Sequence, residues 1–359
     1  MFSQERFLKA CRLSLSGRPP VWLMRQAGRA LPEYRAIREK HGFMEMLSTP
    51  ELIVEVSLQP WRRFKMDAVI VFSDILLIPW KMGMDLKFIE GQGPKFSKLI
   101  ETEKDVESLQ SITPEKDCPF LLTALRQLRK EIRNNAALLG FAGSPWTVAS
   151  YMLSGVILSP ELVEGRRISG SFADAQDDTV DTVKILLEKL TQQTIVYLKA
   201  QIEAGVDAVQ IFDSWGGSLS AEEYAVWSAP YIKEVVAALK PTGVPTILYI
   251  KDSRHLLDQM VSTGVDVISV GWETPLELAR KKRCAIQGNL DPHILMQATP
   301  DEVREKTQNM LNEMKNYPGY IANLGHGVLP KTPLENIAAF VETVKRCHCE
   351  EPQATKQSK

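Results

Sequence analysis

The stretch AVQIFDSWGG, residues 208–217, changes character at one point: a short, largely apolar run gives way to Asp213, Ser214, Trp215 and two glycines. A run of this kind is the pattern of a strand buried on both faces, as strands of parallel sheets are. Runs rich in Val and Ile recur at 21–24, 68–72, 138–142, 246–250, 267–270, 285–287 and 321–324, with helical stretches between them. Eight such strands alternating with helices predict parallel crossover units and one α/β domain, a single (β/α)8 TIM-type barrel over residues 1–346. A doubly wound open sheet is the other assembly of such units. The residues after the runs are polar or glycine, as in Arg25 to Arg29, Ser73-Asp74, Gly143-Ser144, Lys251-Asp252, Gly271-Trp272, Gly288-Asn289 and Gly325-His326-Gly327. In a parallel barrel all of these ends open on one face, so side chains far apart in sequence converge there.

The whole chain bounds what that face can serve. Its 359 residues are 44% hydrophobic and 24% charged, with a formal net charge of −1, which suits a large core and gives no basic excess pointing to nucleic acid. The N-terminus, with Glu5 and Arg6, has no apolar core of a secretory signal. The strongest apolar run, 68–80, is broken by Ser73 and Asp74 and falls short of the ~20 residues of a membrane span. A cytoplasmic protein without a membrane partner is expected. Five cysteines without any C-x-x-C spacing fit reduced thiols, and neither zinc nor calcium patterns occur, so no metal is expected. Residues 88–96 read as a hairpin, and no glycine-rich phosphate loop is present. Two segments depart from the style of the rest: 157–178, expected as an irregular excursion outside the barrel wall, and 347–359, expected as a disordered tail.

Several strand-end residues carry chemistry, each with a plainer alternative. Arg25 and Arg29 lie four residues apart straight after a short strand, with Gly28 between them inviting a tight turn around an anion; two arginines on one helical turn can also simply decorate a surface. Asp74 is either a helix N-cap or a carboxylate held in an apolar mouth to stabilise positive charge. His326, flanked by Gly325 and Gly327, is either structural or a ring presented to a ligand. Tyr151 is a core aromatic or a mouth hydroxyl, and Ser214 an N-cap or a contact. No Ser–His–acid order or G-x-S-x-G elbow supports a serine hydrolase.

The words PVWLMRQAGRALPEYR, IVFSDIL, GFAGSPWTVASYM, QIFDSWGG, GNLDP and NLGHGV together resemble the uroporphyrinogen decarboxylase family, over roughly residues 3–155 and 180–346. The resemblance implies a single-domain barrel, a homodimer needing no cofactor, which decarboxylates the four acetate arms of uroporphyrinogen III to coproporphyrinogen III in haem biosynthesis. It implies that Arg25 and Arg29 hold substrate carboxylates, with Gln26, Ala27 and Gly28 completing their loop. It further implies that Asp74 accepts from the pyrrole N–H groups, that Tyr151, Ser214 and His326 contact substrate arms, and that Phe212 lines the cleft. Arg25, Asp74, Tyr151 and His326 are then the residues closest to the chemistry. A guanidinium with a pKa above ~12 is a poor general acid, so water and a substrate carboxyl stand beside Arg25 as proton donors. The likeness breaks between about 154 and 179, where an unrelated stretch replaces the usual loop and lysine-rich helix.

Two rivals follow from the same residues. Corrinoid-linked methyltransferases share the barrel but hold zinc with His and Cys, a pattern missing from these strand ends. A tetrapyrrole-binding protein inactivated by the stretch 157–178 would bind without releasing CO2.

Overall fold

The computed structural model describes residues 1–89, 93–154 and 177–347. Its main sheet has seven parallel strands in the order β1 (Ala68–Ile70), β4 (Ala137–Gly143), β5 (Ala208–Asp213), β6 (Thr246–Ile250), β7 (Val267–Ser269), β8 (Ala285–Leu290) and β9 (Tyr320–Leu324). Between the first two, β2 (Leu86–Ile89) and β3 (Gly93–Phe96) pair antiparallel, the hairpin expected at 88–96. β4, β6 and β9 are buried at every position, as strands covered on both faces must be.

The eighth expected strand, 21–24, is reduced to a single parallel bridge between Val21 and Ala322. That bridge still closes the barrel. The Ala322 N–H donates to the Pro20 carbonyl at 2.9 Å and the Trp22 N–H to the Ala322 carbonyl at 3.3 Å, while the Asp67 N–H donates to the Val21 carbonyl at 2.8 Å. The ladder stops there because Pro19 and Pro20 have no N–H, and because side chains take the next two donors. The Leu23 N–H goes to Gln26 Oε1 at 3.2 Å and the Met24 N–H to Asn323 Oδ1 at 3.0 Å. Asp67 pins the seam: it accepts from Arg18 Nη1 (2.7 Å) and Nη2 (2.9 Å), from Ser3 Oγ (2.6 Å) and from the Val21 N–H (2.9 Å). Burial pushes its pKa up, yet Arg18 and these donors hold it below the ordinary carboxylate value.

Gln210 on β5 and Gln287 on β8 are not on neighbouring strands, yet Gln287 Nε2 donates to Gln210 Oε1 at 3.0 Å. Their side chains therefore meet across the barrel interior. Gln287 Nε2 also reaches Ser269 Oγ (2.8 Å), and Gln287 Oε1 accepts from Trp22 Nε1 (2.8 Å). All four residues are fully buried, and this bonded network occupies the middle of the barrel. On the outside, helices start where the sequence places proline at the first turn or a capping box, as at Pro145–Ser154, Ala221–Trp227 (Ser220 with Glu223) and Pro300–Glu313 (Thr299 with Glu302).

Of the excursion expected at 157–178, all but its last two residues lie outside the described residues, and those two open the helix Asp177–Glu203. The tail expected at 347–359 lies outside them too, apart from Cys347.

Candidate active site

The strand ends gather as the barrel requires. The R-Q-A-G-R turn hangs between the start of β1 and the loop after β9. Gln26, 3% exposed, donates from Nε2 to the Ala68 carbonyl (3.3 Å), and the Val328 N–H donates to the Met24 carbonyl (2.9 Å). The left-handed residue of the turn is Arg25 itself (φ 55°), not Gly28, whose place is set by close packing on the Arg25 carbonyl. A non-glycine residue in that region costs about 1–2 kcal/mol, so the surrounding bonds hold Arg25 in a strained presentation. Its stem lies on Gly327, where a Cβ would stand 2.6 Å from Cγ of Arg25.

Among the described residues, the Arg25 and Arg29 guanidiniums are exposed and make no hydrogen bond or ion pair. Arg25 sits in a common field with the mouth, since its charge lowers the pKa of Asp74, Tyr151, Tyr249 and His326. Arg29 does not join that group. Its charge reaches Tyr34 instead, and its carbonyl accepts from Arg35 Nη1 at 2.7 Å, which places Arg29 on the rim. The Gln26 side chain is committed to the fold, and Ala27 packs against the small cluster of Leu31, Tyr34, Met46 and Val56. Gln26, Ala27 and Gly28 thus shape the turn.

Asp74 is half-buried after β1. Its Oδ1 accepts from the Leu76 N–H at 2.8 Å, a local turn rather than a helix cap, because the helix Leu77–Lys81 begins after Leu76. Oδ2 makes no hydrogen bond among the described residues. Burial raises the carboxyl's pKa, and the Leu76 N–H and Arg25 only partly offset this. A carboxylate so placed gains from any cation or N–H donor that enters.

Phe141, Phe212, Tyr249, His326 and Trp272 run as an aromatic arc, with successive ring centroids 5.4, 5.8, 6.0 and 6.5 Å apart. Phe212 packs edge-on between Phe141 and Tyr249 in this arc. His326 is half-buried and its pKa is pushed down to about 3 by burial and by the charges of Arg25, Lys251 and His293, so it is a neutral imidazole. Tyr151, on the helix Pro145–Ser154, packs edge-on to Trp215 with centroids 6.0 Å apart; burial raises its pKa, and it feels both Asp74 and Arg25. Ser214 is half-buried and does not cap the short helical turn Gly216–Ser218, which has Trp215 at its N-cap.

Two neighbouring polar residues sort differently. Asp213, fully buried, accepts from Ser144 (2.6 Å), Thr147 (2.8 Å) and Ser228 (2.7 Å), so its work is to fix the loop that carries Ser214. Lys251, whose side chain is 25% exposed, faces the mouth with its charge and has Asp252 at 3.5 Å. Sequence reading marked Lys251 as a strand end and assigned it nothing, and it counted Tyr249 as strand interior. Among the described residues no group of three or more His, Cys, Asp or Glu side chains is placed to hold a metal. No described helix is long and apolar enough to cross a membrane.

Comparison with known proteins bears on what this mouth does. The family model described as uroporphyrinogen decarboxylase (URO-D) matches residues 2–347. Uroporphyrinogen decarboxylases of Cellvibrio japonicus and Carboxydothermus hydrogenoformans are each 42% identical to this chain, over 353 residues (95% of this chain, 96% of that protein) and 343 residues (95% of each). Among solved structures, a methyltransferase from Methanosarcina mazei aligns over 96% of this chain and 98% of its own, with a TM-score of 0.77 at 20% identity. A B12-independent methionine synthase from Shewanella sp. W3-18-1 reaches a TM-score of 0.55 at 14% identity over 85% and 90% of the two chains. These structural likenesses are ones of fold.

Proposed function

The chain belongs to the uroporphyrinogen decarboxylase family and acts on uroporphyrinogen in tetrapyrrole biosynthesis, and we propose that it does so in the mouth formed by Arg25, Asp74, Tyr151, Phe212, Ser214 and His326. In this reading the four acetate arms of uroporphyrinogen III lose CO2 to give coproporphyrinogen III. One observation supports it: a carboxylate with one oxygen uncommitted among the described residues and a guanidinium unpaired among them share one aromatic-walled mouth. A macrocycle with inward N–H donors and outward carboxylates offers the complement of both.

Asp74 Oδ2 accepts from the pyrrole N–H groups, while Arg25, and Arg29 at the rim, take carboxylates in the planar fork that suits them. Protonation of a ring carbon makes the pyrrole cationic. The bond between the acetate methylene and its carboxylate then breaks, its electrons neutralise the ring, and CO2 leaves. A second proton adds to the exocyclic carbon and the ring carbon gives one back, so the net change is one proton taken up and one CO2 released per arm. Asp74 stabilises the cationic stage, and the pyrrole is its own electron sink, so this reading invokes no cofactor. We place the enzyme in the cytoplasm as a homodimer, as its family resemblance implies. Anaerobic incubation with uroporphyrinogen, with products separated by carboxyl number, tests the reading. Stepwise loss of four carboxyls is the expected result; tight binding with no CO2 would contradict it and favour a binding protein.

A further inference from the structure

Tyr249 lies on β6, 1% exposed, beside Phe212 of β5 in register. Its ring plane lies within 18° of that of His326, with centroids 6.0 Å apart, and its hydroxyl oxygen is 2.7 Å from His326 Nδ1 and 3.3 Å from the Gly325 carbonyl. Two proton arrangements satisfy those atoms. In one, the phenol O–H donates to Nδ1. In the other, Nδ1–H donates to the phenol and the phenol donates to Gly325. The 2.7 Å contact suits a donor on either atom, but the second arrangement also needs an O–H···O bond of 3.3 Å, beyond the 2.5–3.0 Å usual for that pair, which favours the first.

We propose that Tyr249 is the positioning residue for His326: its hydroxyl donates to Nδ1 and holds the imidazole as the Nε2–H tautomer, a neutral donor for one substrate carboxylate. Nε2 makes no hydrogen bond among the described residues, so its proton is uncommitted. Gly325 fixes the backbone beside the ring, since a Cβ there would stand 2.8 Å from Cα of Trp272. The groups facing the ring are Tyr249, Arg25, Lys251 and His293, and the three basic ones oppose protonation of the imidazole. Tyr249 stays a phenol, since burial raises its pKa. The pair therefore delivers a directed hydrogen bond without adding a further charge to a mouth that already holds cations. Carboxylate binding at His326 is then independent of pH through the neutral range.

The inference rests on the proposed site, and its test separates the two. Ring 15N shifts of His326 in the substrate-free wild-type enzyme should show Nδ1 as an acceptor and Nε2 protonated from pH 6 to 8. In Tyr249→Phe, with the fold checked by circular dichroism, the two nitrogens should move toward averaged values. The KM for uroporphyrinogen should rise about two- to tenfold with a smaller change in kcat, the scale of one hydrogen bond. A wild-type ring protonated on Nδ1, or ring shifts unmoved in Tyr249→Phe, would overturn the proposal. Because the spectra need no substrate, their failure leaves the decarboxylase reading standing, and failure of that reading leaves the tautomer measurable.

Discussion

Replacing Asp74 with Asn keeps the shape, and an amide oxygen can still accept from the Leu76 N–H that Oδ1 holds at 2.8 Å. What disappears is the negative charge. A unit charge ~4 Å from a cationic ring at an effective dielectric of ~20 is worth about 4 kcal/mol. Removing one preorganised electrostatic stabiliser costs ~2.7–4 kcal/mol in practice, so kcat should fall about a hundred- to thousandfold. Stability should move the other way. Burial raises the folded carboxyl's pKa above its unfolded value, so the folded state binds the proton more tightly. The charge is thus a cost to folding, present above the folded pKa and gone below the unfolded one, and a neutral amide should melt at the same temperature or higher. The assay is anaerobic turnover with products resolved by carboxyl number, paired with a thermal melt. A folded Asp74→Asn enzyme with near-normal kcat would refute the electrostatic role, and a variant that melts early would show that Asp74 mainly braces its turn.

Arg29→Lys keeps the charge but loses the two-pronged grip, so KM should rise about tenfold and kcat should fall as well; unchanged kinetics would reduce Arg29 to a rim charge. Gly327→Ala should impair turnover with little effect on the melt, because the new Cβ lies 2.6 Å from Arg25 Cγ and must displace that stem; full activity would mean that Arg25 needs no fixed place. Asp67→Ala should destabilise the fold by about 3 kcal/mol, since it strands Arg18 and the Val21 N–H at the barrel seam. The pKa of Asp67 is depressed on folding, so its contribution is present above the unfolded carboxylate pKa and fades as pH drops below about 4; a wild-type melt indifferent to acid in that range would contradict this.

The barrel was legible because apolar runs buried on both faces leave a signal in composition, and seven of them became strands within a few residues of the expected bounds. The run at 21–24 misled because side chains, not the ladder, satisfy Leu23 and Met24, and one sequence cannot show which donors an Asn or a Gln will take. Glycine spacing suggested that Gly28 turns the arginine loop, whereas Arg25 carries the left-handed angle: backbone strain at a non-glycine residue has no signature in its type. Asp74 and His326 stood out at strand ends. Tyr249 did not, because an aromatic inside a strand reads as core, and only the 2.7 Å contact with Nδ1 separates it from one. Asp213 is the converse, a strand-end acid whose three hydroxyl partners make it structural.

The most direct test of the central claim is a structure of the enzyme with coproporphyrinogen, grown without oxygen. The account predicts the macrocycle in the mouth of the barrel, its pyrrole N–H groups within hydrogen-bond distance of Asp74 Oδ2 and its remaining carboxylates on Arg25, Arg29 and His326 Nε2. A macrocycle bound away from that mouth, or one whose N–H groups face away from Asp74, would contradict it.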